Sequence, residues 1–91
     1  MELVVDKKRK YRLVPHTQIR EEDFGLLFYT MEGPRLYFLS CGQMLDVTFF
    51  EGDFTLNEWL EKKGVLSLYG RDTIAKVERM LEQLREKGVI C

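Results

Sequence analysis

The sequence predicts a small α+β domain with a three-stranded antiparallel sheet followed by three helices. Two observations carry this. Between Tyr11 and Leu39 short apolar runs alternate with turn chemistry, and from Ser40 onward helix-capping patterns recur. Strands first and helices after gathers the helices on one face of the sheet.

The strands are expected near residues 12–20, 24–30 and 35–39. Glu22-Asp23 supplies one turn. Met31-Glu-Gly-Pro34 supplies the other, with Gly33 free to take a positive φ and Pro34 fixing its own. In Leu26-Leu27-Phe28-Tyr29 and again in Leu36-Tyr37-Phe38-Leu39 both alternation sets are apolar, whereas a sheet wetted on one side alternates with polar residues. One set covers the core and the other needs a second cover. On the third strand the core set is either Leu36 and Phe38 or Tyr37 and Leu39.

Ser40 and Gln43 fit a capping box with Leu39 and Met44 as the hydrophobic staple, which predicts a helix from Cys41 to Phe50. Thr55 and Glu58 repeat the device with Phe54 and Trp59, and Gly64 stops that helix with Val65 set to touch Leu60. The last helix is expected to start with Asp72 as its cap. It carries Ile74, Val77, Leu81 and Leu84 on one stripe and ends at Gly88, where Val89 can meet Leu84. Asp72 to Lys76 and Arg79 to Glu82 to Arg85 are spaced for ion pairs along its exposed face.

Ninety-one residues make one domain, read as residues 11–91 behind an N-terminal arm of residues 1–10. In the arm, Leu3-Val4-Val5 is either a short strand or a disordered end. Lys7, Lys8, Arg9, Lys10 and Arg12 form a basic run read as a solvated tether. A net charge of −1 gives no field to draw the protein onto a phosphate backbone, so nucleic acid is a poor partner. No apolar run is long enough to span a membrane, and the first residues are charged too soon for a signal peptide. Cys41 and Cys91 do not make a disulfide framework, so the expected setting is the cytoplasm, with reduced thiols.

Catalytic chemistry is sparse. The single histidine, His16, follows Pro15 at a strand start, and Cys41 has no histidine near it in sequence. Neither CxxC nor HxxxH spacing occurs, and no glycine pattern builds a phosphate loop. The chain is read as a non-catalytic protein that needs no metal and no cofactor. A small sheet domain of this kind binds most economically by pairing an exposed strand with a guest strand.

The residues Pro15-His-Thr-Gln-Ile-Arg-Glu-Glu-Asp-Phe-Gly-Leu-Leu-Phe-Tyr29 and Gly33-Pro-Arg-Leu-Tyr-Phe-Leu39 resemble the peptide chaperone of the mycofactocin biosynthetic system. That family is related to the pyrroloquinoline-quinone chaperone and to the recognition elements of ribosomally made, modified peptides. The tail Leu81-Glu-Gln-Leu-Arg-Glu-Lys-Gly-Val-Ile90 is similar to the family's last helix, so the likeness spans Tyr11 to Ile90. It implies a winged-helix-like peptide-recognition domain that binds the leader of a precursor peptide and presents it to a radical S-adenosylmethionine enzyme. Any cofactor would belong to that enzyme.

In the family the leader adds as a strand beside the third strand, in a groove closed by the last helix. Carried onto this chain, the peptide-binding residues are Arg35, Leu36, Tyr37, Phe38 and Leu39, with Thr73, Lys76, Met80 and Gln83 on the helix flank next to the buried stripe. Two other readings stand beside this one. A winged helix could bind DNA, although the mixed Glu and Arg of the last helix oppose it. A structural homodimer would cover the spare sheet surface with a second copy.

Overall fold

The computed structural model describes residues 9–31 and 35–91. The expected meander is present as β2 (Thr17–Glu22), β3 (Gly25–Thr30) and β4 (Arg35–Ser40), antiparallel in the order β2-β3-β4. A second antiparallel sheet pairs β1 (Lys10–Arg12) with β5 (Glu51–Thr55). Two helices complete the described residues, α1 (Leu56–Lys62) and α2 (Arg71–Glu86). This corrects the expected plan of one three-stranded sheet and three helices, and with it the winged-helix-like fold class. The domain is α+β with five strands in two sheets. The expectations for Leu3-Val4-Val5 and for the Glu32-Gly-Pro34 part of the second turn lie outside the described residues.

The missing helix is the one predicted over Cys41–Phe50. That segment is a turn followed by a tight 3-10 turn over Val47–Phe50, after which the chain extends into β5. Asp46 acts as the cap, its Oδ1 accepting the Thr48 amide at 2.8 Å. Gly42, Asp46 and the β-branched pair Val47-Thr48 all disfavour a helix interior, so the local cap wins. The 3-10 turn aims Phe49 and Phe50 inward. Phe50 meets Phe28 of β3 edge-on at 5.3 Å, and Phe49 meets Phe50 at 5.1 Å, Trp59 of α1 at 5.5 Å and Tyr11 of β1 at 6.3 Å. Two phenylalanines thereby join both sheets and α1 into one core, each such ring pair adding about 1 kcal/mol beyond the area it buries.

The ends of the helices follow the sequence more closely. Thr55 Oγ1 accepts the Glu58 amide at 3.2 Å and Glu58 Oε1 accepts the Thr55 amide at 2.9 Å, a complete capping box. The staple forms as well, with Phe54 and Trp59 rings 6.2 Å apart. At the end of α1 the amide of Val65 donates to Leu60 and that of Gly64 to Glu61, both at 3.0 Å. At the end of α2 the amide of Val89 donates to Leu84 at 3.0 Å and that of Gly88 to Arg85 at 3.1 Å. The latter closure needs a left-handed residue, and Gly88 supplies it at φ 80°. The start of α2 differs from expectation: Gly70 is the cap residue, and Asp72 sits in the first turn, where its charge suits the helix dipole.

Beyond Gly88 the chain returns to β1. Arg12 and Cys91 exchange amide-to-carbonyl bonds of 2.9 and 2.8 Å, and the Val14 amide reaches the Val89 carbonyl at 3.2 Å. The last residues thus occupy one edge of β1 while β5 occupies the other. The basic run ends inside this structure: Arg9 lies 3.2 Å from Glu82 of α2, and Lys10 and Arg12 belong to β1.

Candidate functional site

The three-stranded sheet has two edges of different character. On β2, Arg20, Glu21 and Glu22 put charge along the strand, Arg20 Nε bonding Glu22 at 2.6 Å, and Glu21 accepts the Val47 amide at 3.3 Å. Charges of this kind are how natural sheets discourage a guest strand. On β4 the only charge is Arg35 at its start. One side of β4 is paired to β3; among the described residues the other is paired to no strand, and residues 35–38 make no backbone hydrogen bond outside the β3 ladder.

Register assigns the faces of β4. Leu39 is fully buried opposite Leu26, and Tyr37 is half-buried opposite Phe28, so this pair faces the core. Leu36 and Phe38 face outward, 61% and 60% exposed, beside Tyr29 and Leu27. The Phe38 ring lies 5.7 Å from Phe24, itself exposed at the β2–β3 turn. Gln18 accepts the Tyr29 hydroxyl and borders this apolar surface on the β2 side. The surplus apolar set that the sequence called for is therefore left uncovered among the described residues.

Gly25 holds β3 and β4 close at the turn end. A Cβ at that position would lie 2.1 Å from the Leu39 carbonyl oxygen and 2.7 Å from the Cys41 nitrogen. No larger residue fits there.

Helix α2 lies against β4. Val77, Leu81 and Leu84 are buried as the periodicity predicts, and Ile74 is half-buried. One flank of α2 is tied to β1: Tyr11 donates to Glu82 at 2.7 Å, and Arg85 pairs with Glu82 at 3.2 Å. The residues singled out from sequence occupy the other flank, with Thr73, Lys76 and Gln83 exposed and Met80 half-buried against the core. The nine residues thus fall on β4, whose outer edge no described strand pairs, and on the helix next to it. Ion pairs at Asp72 to Lys76 and at Arg79 to Glu82 do not form among the described residues.

Two cavities flank this region. One of about 460 Å³, at the β2–β3 turn, is lined by Glu21, Glu22, Asp23 and Asp46 among others. The other, about 280 Å³, sits at the opposite end of the sheet under the row Thr17-Thr30-Arg35, where Tyr37, His16 and Lys87 also line it. Neither His16 nor Lys87 was singled out as a binding residue from sequence. Their approach depends on α2 returning to the end of the meander, which no local pattern records. Leu27 and Tyr29 were legible only as surplus apolar residues.

Among the described residues no three His, Cys, Asp or Glu side chains, those of the acidic cavity included, are placed so that they could hold a metal ion. Cys41 is buried, and that burial pushes its thiol pKa up, opposite to what a nucleophile requires. No described helix is long and apolar enough to cross a membrane. Comparison with protein-family models, with curated proteins and with solved structures finds no match to this chain.

Proposed function

We propose that this protein is a non-catalytic peptide chaperone that binds the leader of a ribosomally made precursor peptide by strand addition to β4. It would present that leader to a radical S-adenosylmethionine maturase, as the resemblance to the mycofactocin chaperone implies. The single observation that carries the reading is the charge-poor outer edge of β4, which no described strand pairs, with α2 beside it. A guest strand there gains backbone hydrogen bonds from β4, while alternate side chains meet Tyr37 and Leu39 on one face and Leu36 and Phe38 on the other.

The resemblance carries over only in part. A β4 strand and a last helix beside it support the reading, but the helix over Cys41–Phe50 is not formed, and the DNA-binding alternative loses the helical trio it rested on. The homodimer reading keeps one specific support, the exposed Phe24, Leu36 and Phe38.

The test is to titrate labelled protein with a leader peptide from the same gene neighbourhood and follow backbone amide shifts. Micromolar affinity is expected, roughly −8 kcal/mol, because ordering a disordered peptide offsets part of the interaction energy. Shifts confined away from residues 35–40 and α2 would refute the groove. Light scattering with and without peptide separates it from a homodimer.

A further inference from the structure

We infer that the cavity at the start of β4 is a carboxylate anchor, and that the guest strand carries an acidic side chain there. This rests on the strand-addition reading and specifies the guest. The cavity of about 280 Å³ is lined by Arg35, Lys87 and His16, with Thr17, Thr30 and Tyr37 among its other walls. Among the described residues two basic side chains, Arg35 and Lys87, line it and no carboxylate does. Among the described residues neither Arg35 nor Lys87 is held in an ion pair, whereas Arg9, Arg20, Lys63 and Arg85 all are.

Position makes this more than a basic patch. Arg35, Thr30 and Thr17 form the last cross-strand row on the core-facing side of the sheet. A strand added beside β4 places every second side chain on that same side. The guest residue level with Arg35 therefore points at the cavity, and those two and four positions along it fall beside Tyr37 and Leu39. The guest is thereby specified as an acid with apolar residues two and four positions away on one side of it. The carbonyl end of α2 nearby opposes an anion, but the amides of Lys87, Gly88 and Val89 already occupy the Gln83, Arg85 and Leu84 carbonyls. The two side-chain cations then dominate. A guanidinium and a carboxylate can form paired, charge-assisted hydrogen bonds, the strongest of this class.

The test selects binders from a random peptide library of strand length on the wild-type protein, on Arg35→Gln/Lys87→Gln and on Phe38→Asp. Wild type should enrich Asp or Glu at one fixed position with apolar residues two and four positions away. The double variant, its fold checked by circular dichroism, should keep the apolar pattern and lose the acid, with affinity for the best wild-type peptide falling about tenfold or more. Apolar binders without an acid, or an acid preference that survives in the double variant, would overturn the anchor while leaving strand addition standing. Failure to enrich any peptide on wild type, or equal enrichment on Phe38→Asp, would overturn strand addition and the anchor with it.

Discussion

The Tyr11 hydroxyl donates a 2.7 Å hydrogen bond to Glu82 Oε2, joining the first described strand to the last helix across most of the chain. Burial, followed by the bond to Glu82 and the charges of Glu82 and Glu78, raises the Tyr11 pKa far above its ordinary value. For Glu82 burial acts against ionisation, but bonds from Arg85 and Tyr11 and the nearby cations outweigh it and hold the carboxyl low.

The sign of each shift fixes a pH window. The folded state binds the Tyr11 proton more tightly than the unfolded chain does, so that stability is complete below about pH 10 and is lost as pH rises beyond it. The folded state binds the Glu82 proton less tightly, so its contribution is present above about pH 4.3 and fades as pH falls through the lowered value. Tyr11→Phe should cost about 1 kcal/mol at neutral pH and flatten the alkaline limb of a urea-unfolding series. An unchanged alkaline limb would show that the folded state does not hold the Tyr11 proton more tightly than the unfolded chain.

Phe49→Ala should cost about 3–5 kcal/mol, because Phe49 is fully buried where Phe50, Trp59 and Tyr11 converge. Phe38→Asp should cost no more than about 1 kcal/mol, since the residue is 60% exposed and loses mainly its contact with Phe24. Chemical denaturation of the two variants separates a core aromatic from one left for a partner. Equal losses would contradict the assignment of faces on β4.

Legibility in the sequence tracked how local each feature is. The α1 capping box and both glycine-terminated helix ends are fixed by residues within six positions of one another, and they stand where the residue pattern put them. Ser40-Cys-Gly-Gln43 matches the same capping pattern as Thr55-Leu-Asn-Glu58, yet only the second starts a helix. The residues after each cap make the difference: Leu56–Lys62 holds no glycine and no β-branched residue, whereas 41–50 holds Gly42, Asp46, Val47 and Thr48. Strand β5, written Glu-Gly-Asp-Phe-Thr, has poor strand propensity and exists because it pairs with β1 some forty positions earlier. The edge of β4 was legible as an apolar run with too many faces. The cavity beside it was not, because Arg35 and Lys87 meet only through the tertiary fold.

Gly25→Ala should destabilise by roughly 3 kcal/mol. The new methyl collides with the Leu39 carbonyl and the Cys41 amide, both backbone groups that cannot swing aside, and the φ of 145° is itself unfavourable for an L side chain. Thermal unfolding measures this. A loss under about 1 kcal/mol would mean that β3 and β4 part easily at the turn.

Cys91 should react with a thiol reagent at once and Cys41 only on unfolding, because Cys91 is exposed whereas Cys41 is buried with its thiol held protonated. Two thiols titrating at the same rapid rate in the native protein would place Cys41 at the surface.

The most direct measurement is amide hydrogen exchange along residues 35–40, free and with leader peptide. An antiparallel strand turns alternate amides toward its neighbour, so an open edge gives alternating slow and fast exchange in the free protein, with the fast set slowing when peptide binds. Uniform protection of the whole stretch without peptide, or a fast set that peptide leaves unchanged, would contradict strand addition at β4.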